Sequence, residues 1–223
     1  MGKLTKEEIM FEYLKDPHNE KLAYQYAKFF GPSDLTRNRA CVSSYNAYMY
    51  AKYIDKGPHD TTRDIACRST RWAYDYAKEI DKGPHPWTRR GIRSPDFALD
   101  YALNIDKKPT DMTRKIACYD VHCAMEYAEK VDKKPHKETR IACCRLPWSA
   151  CEYAEKIDKG PRKVTRDAAC RSARFAYIYA VSVDKKPRKE TREVVCRESY
   201  HIFAGQENYK KKYEEWENSL KKK

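Results

Sequence analysis

Glycine is scarce in this chain, with 7 among 223 residues, and the usual sequence signatures of catalysis are missing. No Gly-rich phosphate loop, HExxH or GxSxG pattern occurs, and so few glycines leave few candidate cradles for a phosphate. His59 and His85 occupy equivalent loops of a repeat and do not form a convergent set. These absences favour a protein that is not an enzyme, uses no cofactor and has no evident small-molecule substrate.

Long apolar runs are also missing. No stretch approaches the roughly 20 apolar residues that a membrane span needs, and the N-terminal sequence MGKLTKEEIM lacks the apolar core of a signal peptide. We therefore expect a cytoplasmic protein with no membrane partner.

The cysteines show neither a disulfide nor a metal-ligand pattern, since their number, 9, is odd and no CxxC pair occurs. Equivalent residues of stacked helices lie roughly 8–10 Å apart, which is too far for a disulfide. We expect reduced, buried thiols and no metal site. Six cysteines follow a repeated arginine by four residues: Cys41, Cys67, Cys118, Cys144, Cys170 and Cys196.

Positive charge is what the chain has in excess. Lys and Arg number 46 against 33 Asp and Glu, so the formal net charge is +13, and the sequence pI is about 9.2. Hydrophobic residues make up 41% of the chain. This composition suits one basic array whose units bury their cores on one another, with an acidic partner.

A motif of about 26 residues recurs along the chain, marked by Tyr-Ala and Thr-Arg dipeptides. In the segment 71–81, Ala73, Tyr76, Ala77 and Ile80 are spaced as one face of a helix. The segment TRDIACRS that precedes it predicts a shorter helix with Thr62 as its N-cap.

No alternating run rich in β-branched residues predicts a strand. The predicted fold is therefore an all-α solenoid of about seven 26-residue two-helix repeats. We expect an N-terminal capping helix at 1–20, the array at 21–204, and a charged C-terminal helix or tail at 205–223.

Six repeats carry an aspartate at the end of one helix and an arginine at the start of the next, eight residues later, while the first repeat has Gly31 in place of the aspartate. Both charges oppose the dipole of their own helix. A loop closing around the proline would pair the two, or each would pair with the neighbouring repeat's partner. We favour a structural ladder that sets the register of the repeats; the alternative is a row of arginines for phosphates or acidic side chains. The ladder comprises Asp55, Arg63, Asp81, Arg89, Asp106, Arg114, Asp132, Arg140, Asp158, Arg166, Asp184 and Arg192.

The loops between repeats, of the type DKGPH or DKKPRK, are rich in basic residues. They predict a positive stripe along one edge of the array. It is either a solvated face or a binding surface for an acidic protein or a nucleic acid. The candidate binding residues of this edge are Lys82, His85, Lys107, Lys108, Lys133, Lys134, His136, Lys159, Arg162, Lys185 and Arg188.

One repeat, TRRGIRSPDFALDYA (88–102), departs from the pattern. Arg93 replaces the cysteine, Gly91 enters the short helix, and Trp87 and Arg90 flank its start. Burying Arg93 unpaired would be costly, so we expect this helix to be rotated or shortened, or its guanidinium to be paired or exposed. The segment is either a drifted repeat or a binding hot spot that includes Trp87, Arg90 and Arg93.

The core pattern AYxYAxxIDKGPxxxTR, at 47–63 and 73–89, resembles short tandem α-helical repeats of phages and large DNA viruses, which carry units of the type AYxYAxxVxxGP. The resemblance covers about residues 21–204. The Thr-Arg and Cys signature of this chain is a departure from the viral pattern. It implies a viral protein of the host cytoplasm that binds a host protein, including a defence factor that it would inhibit. It carries over no catalytic residue.

Overall fold

The structure is a computed structural model that describes residues 4–198 and 208–221, and all secondary structure within these residues is helical. The predicted all-α class is confirmed. The chain divides into two compact units, Met1–Ile116 and Ala117–Lys223. Within each unit, successive helical hairpins pack side by side, as in a helical-repeat solenoid.

The first unit is built from short helices, several of which end in a wider π-helical turn. They are α1 (Lys6–Lys15), α2 (Glu20–Phe30), α3 (Asp34–Ala40), α4 (Ser44–Tyr50, continued by a π turn at Ala51–Asp55), α5 (Asp60–Ala66), α6 (Thr70–Glu79), α7 (Pro86–Gly91) and α8 (Pro95–Tyr101, continued by a π turn at Ala102–Asp106). Helix α9 (Asp111–Ala117) runs through the division between the units.

The second unit repeats the same elements. They are α10 (Val121–Glu126, continued by a π turn at Tyr127–Asp132), α11 (Lys137–Cys143), α12 (Pro147–Lys156), α13 (Lys163–Ala169), α14 (Ala173–Tyr179, continued by a π turn at Ala180–Asp184), α15 (Lys189–Glu198) and α16 (Tyr209–Lys221). No helix among residues 4–198 and 208–221 is long and apolar enough to cross a membrane.

The apolar face predicted for the longer helix of the repeat is buried. In α6, Ala73, Tyr76 and Ala77 have no exposed surface, and Ile80 is 7% exposed. The alanines let neighbouring helices approach closely, while the tyrosine ring fills the space between them. This face therefore forms the core of each hairpin.

Helices α4, α6, α8, α10, α12 and α14 end in the same way, with a lysine in the left-handed region of the backbone. After α6, Lys82 has φ = 54°, and the next N–H, of Gly83, bonds the carbonyl of Ala77 at 3.0 Å. This bond joins residues six apart, one more than the usual 6→1 bond of a helix C-terminus, and satisfies a carbonyl at the helix end. The same conformation recurs at Lys56, Lys107, Lys133, Lys159 and Lys185, with φ between 52° and 55°.

The shorter helices start earlier than the sequence predicts. His59, and not Thr62, is the N-cap of α5: its Nδ1 accepts the N–H of Thr61 at 3.2 Å. Thr62 lies in the first turn instead, where its hydroxyl donates to the carbonyl of His59 at 3.0 Å. The prediction of Thr62 as cap was wrong because the imidazole, two residues before Thr61, reaches the helix N–H first.

All nine cysteines lie within the described residues as thiols rather than disulfides, and seven of them are buried. Burial raises the pKa of the Cys41 and Cys67 thiols to about 12. They fill the junction between the two helices of a hairpin as small, protonated, apolar side chains, as predicted.

The two terminal segments are helical. At the start, the Thr5 hydroxyl accepts the N–H of Glu8 at 3.3 Å, and the Thr5 N–H donates to the Glu8 carboxylate at 2.7 Å, which is the predicted capping box of α1. At the other end, Tyr213 of α16 takes the place of the repeat tyrosine, and its hydroxyl lies 3.1 Å from that of Thr191. The predicted boundary between residues 204 and 205 lies outside the described residues, while α15 and α16 share the Thr–Tyr contact of the other hairpins.

Candidate functional site

The repeated polar residues of a hairpin meet in one buried group, which we call the quartet: a threonine and an arginine from the shorter helix, and a tyrosine and an aspartate from the longer one. In α5 and α6, the hydroxyls of Thr62 and Tyr76 lie 2.9 Å apart. The His59 N–H donates to the Tyr76 hydroxyl at 3.0 Å. Arg63 lies over the Tyr76 ring, 5.7 Å from its centroid, and donates to Asp81 at 2.8 Å.

The ladder exists, but its register joins each arginine to the next aspartate along the chain. Arg63 bonds Asp81, 18 residues ahead, while Asp55, eight residues behind it, is bound by Arg37 at 2.8 Å. Of the two pairings that the sequence left open, the structure contains the one that joins neighbouring motifs. The pairs are Arg37–Asp55, Arg63–Asp81 and Arg89–Asp106 in the first unit, and Arg140–Asp158 and Arg166–Asp184 in the second.

The other three residues of the ladder are Arg114, Asp132 and Arg192. Arg114 donates to Asp111 of its own helix at 2.9 Å. Asp132 is buried at the end of the turn that follows α10. Arg192 lies 3.2 Å from Glu217 of α16, so a glutamate one position nearer the tyrosine serves as the carboxylate partner here.

The antiparallel hairpin removes the apparent conflict with the helix dipoles. Arg63 lies in the first turn of α5 and contacts Asp81, just after the end of α6. Each charge is misplaced on its own helix but lies beside the favourable end of the other helix. The hydrogen bond to Asp106 raises the pKa of Arg89 above its ordinary value, although burial lowers it. The quartet thus satisfies both charges inside the protein, and its arginines are not available to a ligand.

The two units differ in the residue that opens the shorter helix. In the first unit, Asp60 of α5 contacts Arg63 at 2.6 Å and Asp34 of α3 contacts Arg37 at 2.6 Å, so each arginine has two carboxylates. In the second unit, Lys137, Lys163 and Lys189 occupy this position. The loop edge of the second unit therefore has three further positive charges.

The basic edge predicted from the loops lies at the surface in both units. Its lysines, with Arg162, are exposed, whereas His85, His136 and Arg188 are half-buried. His85 and His136 are N-caps, since their Nδ1 atoms accept backbone N–H groups of Trp87 and Glu138. Within residues 4–198 and 208–221, the following have no ion pair: Lys82, Lys107, Lys108, Lys133, Lys134, Lys159, Arg162 and Lys185.

Two arginines in the turns after the shorter helices of the second unit, Arg145 and Arg171, bind backbone carbonyls and were not predicted. Arg145 donates to the carbonyl of Tyr119 at 3.2 Å, and Arg171 donates to the carbonyls of Arg145 and Cys144. These bonds satisfy carbonyls at the ends of the shorter helices. The recurring Cys-Arg dipeptide was the available signal for this row.

The shorter helix of the irregular repeat is itself shortened, which is one of the outcomes that the sequence predicts. Helix α7 ends at Gly91, Ile92 is 1% exposed, and Arg93 is exposed, so no unpaired guanidinium is buried in this described segment. A Cβ on Gly91 would lie 2.6 Å from the Cβ of Ala73 and 2.8 Å from the Cys67 carbonyl oxygen. The close approach of α7 therefore requires glycine.

The predicted hot-spot residues line one cleft of about 320 Å³ in the first unit, which we call the α5–α7 cleft. Trp87 is 41% exposed beside it. Arg68 lies 3.3 Å from Asp64, both on the cleft wall. The lining residues are Asp64, Cys67, Arg68, Trp87, Arg90, Gly91 and Arg93.

Comparisons with protein-family models, curated proteins and solved structures find no match to this chain. Among the described residues, no group of three or more His, Cys, Asp or Glu side chains is placed to hold a metal ion.

Proposed function

We propose that the protein is a non-enzymatic helical-repeat scaffold that binds an acidic surface of a partner protein along its basic loop edge. The observation that carries this proposal is the absence, among the described residues, of ion pairs at the exposed basic loop positions, of which Lys133, Lys159 and Lys185 recur in the second unit. The arginines of the quartet are neutralised inside the fold, so the charge that this edge offers to a partner comes from its loop residues.

The backbone at these loops adds support. Six lysines adopt positive φ, a conformation that costs a non-glycine residue roughly 1–2 kcal/mol. Glycine follows three of them directly, at Gly57, Gly83 and Gly160, so glycine is compatible with these loops. A lysine that is kept at a strained position in six repeats favours a use for its ammonium group, in addition to its interaction with the helix C-terminus.

The alternative function is nucleic-acid binding through the same edge. The positive charge would attract phosphates equally well. A pull-down that identifies the retained material distinguishes a protein partner from a nucleic acid. The narrower expectation of a viral inhibitor of a host defence protein stays a prediction based on the resemblance alone.

The test is a pull-down from host-cell lysate with two charge-matched triple variants. The edge variant is Lys159→Ser, Arg162→Ser and Lys185→Ser; the control is Lys130→Ser, Lys156→Ser and Arg174→Ser, exposed positions on the longer helices. We expect wild type and control to retain the same protein at roughly 0.15 M salt after nuclease treatment, and the edge variant to lose it.

Two results count against the protein-scaffold proposal. If the retained material is nucleic acid whose affinity falls steeply with salt, the alternative function is correct, since phosphate contacts release counterions. If the edge variant and the control retain the partner equally, the loop edge is not the binding surface.

A further inference from the structure

The α5–α7 cleft contains more positive charge than the fold uses. Three arginines and one aspartate line it, a net charge of +2. Arg68 is matched by Asp64, but Arg90 and Arg93 have no ion pair within residues 4–198 and 208–221. Both are exposed. Two guanidinium groups therefore face the cleft region without a carboxylate partner from the described part of the chain.

These arginines are not part of the repeat framework. The position of Arg90 is Asp64 in α5, Lys115 in α9 and Asp167 in α13, so no hairpin needs a cation there. Arg93 stands where the other repeats have a cysteine, and it reaches the surface because α7 ends at Gly91. Only 13 residues separate Thr88 from Tyr101, against 14 between Thr62 and Tyr76. The shorter hairpin thus creates the exposed charge.

We propose that the α5–α7 cleft binds a phosphate monoester that is attached close to a planar ring. A phosphate monoester has a charge of about −1.5 to −2 at pH 7, which matches the +2 of the lining residues better than a single carboxylate does. The planar forks of Arg90 and Arg93 suit phosphate oxygens, because each can donate two parallel hydrogen bonds. The half-exposed indole of Trp87 offers a surface on which a ring stacks.

The size of the cleft agrees with this ligand. About 320 Å³ lies at the lower end of the range for small-ligand sites. Two sources supply the chemistry: a nucleoside monophosphate, or a phosphotyrosine on another protein. This inference goes beyond the proposed scaffold function and does not depend on the loop edge.

The test is isothermal titration calorimetry of the full chain with four probes: AMP, phosphotyrosine, inorganic phosphate and adenosine. We expect saturable binding of AMP, phosphotyrosine or both. The double variant Arg90→Ala/Arg93→Ala should weaken that binding about tenfold or more, as the loss of charge-assisted hydrogen bonds implies. Trp87→Ala should weaken binding of the same ligand while leaving inorganic phosphate unaffected.

Matched controls come from the next shorter helix. Lys115→Ala and Met112→Ala alter the equivalent exposed positions of α9 and should leave the affinity unchanged. Circular dichroism checks that every variant is folded. Binding of AMP alone assigns the site to nucleotides, and binding of phosphotyrosine alone assigns it to phosphoproteins. The proposal is overturned if inorganic phosphate binds as tightly as both, if neither ligand saturates, or if the control variants lose affinity equally.

Discussion

The two compact units build the same hairpin but open its shorter helix with opposite charge. Asp34, Asp60 and Asp111 occupy the first position in the first unit, where α7 with Pro86 is the exception. In the second unit the position holds Lys137, Lys163 and Lys189.

An acidic residue at a helix start is favoured by roughly 0.3–1 kcal/mol, and a basic one is disfavoured. The second unit therefore gives up stability at three equivalent positions and gains positive charge on its loop edge. The first residue of the shorter helix bonds a buried arginine in the first unit, whereas in the second unit it adds a positive charge to the surface. The difference teaches that the same hairpin tolerates either charge at this position, with part of the cost offset where Lys163 bonds Asp167 and Lys189 lies near Glu193.

The largest expected effect comes from removing one carboxylate of the quartet in each unit. Asp158→Ala removes the carboxylate that Arg140 binds, and an unpaired buried charge costs about 3–5 kcal/mol. Asp81→Ala leaves Arg63 with the exposed Asp60, so its cost should be smaller by up to about 1 kcal/mol. Urea unfolding of both variants measures the difference.

A double-mutant cycle gives the control for this comparison. Arg140→Met with Asp158→Leu should cost less than the sum of the two single changes, because neither charge is then left alone. Equal losses for Asp81→Ala and Asp158→Ala would show that the second carboxylate of the first unit contributes nothing.

The next effect concerns the irregular hairpin of the first unit. Gly91→Ala places a Cβ against Ala73 and the Cys67 carbonyl, so backbone has to move, at a cost of about 1–3 kcal/mol. Ala168 holds the equivalent position in the second unit without difficulty. Gly57→Ala is the control, since no described atom outside its immediate chain neighbours lies within 4 Å of the point that the new methyl group would occupy. Similar melting temperatures for the two variants would contradict the close approach of α7.

At alkaline pH, the second unit should lose more stability than the first through its additional buried thiols. The second unit has buried thiols at Cys143 and Cys151, where the equivalent residues of the first are Ala66 and Tyr74. Burial raises the pKa of both thiols to about 12 from an ordinary value of 9.0.

Because the unfolded thiol loses its proton first, the stability from these groups is complete below about pH 9 and is lost as the pH rises toward 12. Cys143→Ala should therefore reduce the fall in unfolding free energy between pH 8 and pH 11. An unchanged slope would mean that this thiol is not protected from solvent.

The smallest effect tests the opposite helix starts directly. Lys137→Asp should stabilise the protein by roughly 0.3–1 kcal/mol, because the carboxylate suits the helix dipole and lies near Arg140, as Asp60 lies near Arg63. Asp60→Lys should destabilise it. Thermal unfolding measures both, and the same Lys137→Asp variant should bind an acidic partner more weakly. A stability change of the same sign in both variants would contradict this account.

Much of the fold followed from local pattern. The spacing of Ala73, Tyr76, Ala77 and Ile80 predicted a buried helix face, and the Thr5 and Glu8 pair predicted the cap of α1. The register of the ladder did not follow, since Asp55 is nearer to Arg63 in sequence but the hairpin brings Asp81 to it, 18 residues ahead. The N-cap role of His59 was missed because an imidazole is a less usual cap than threonine.

The sequence by itself determined the helical class, the repeat period, the buried thiols and the exposure of the basic loops, because each depends on the spacing and polarity of nearby residues. Only the tertiary structure decided which aspartate each arginine binds, that α16 completes the last hairpin, and that Arg68, Trp87, Arg90 and Arg93 share one cleft. These features depend on how antiparallel helices pack across the hairpin, where residues 18 or more apart come into contact.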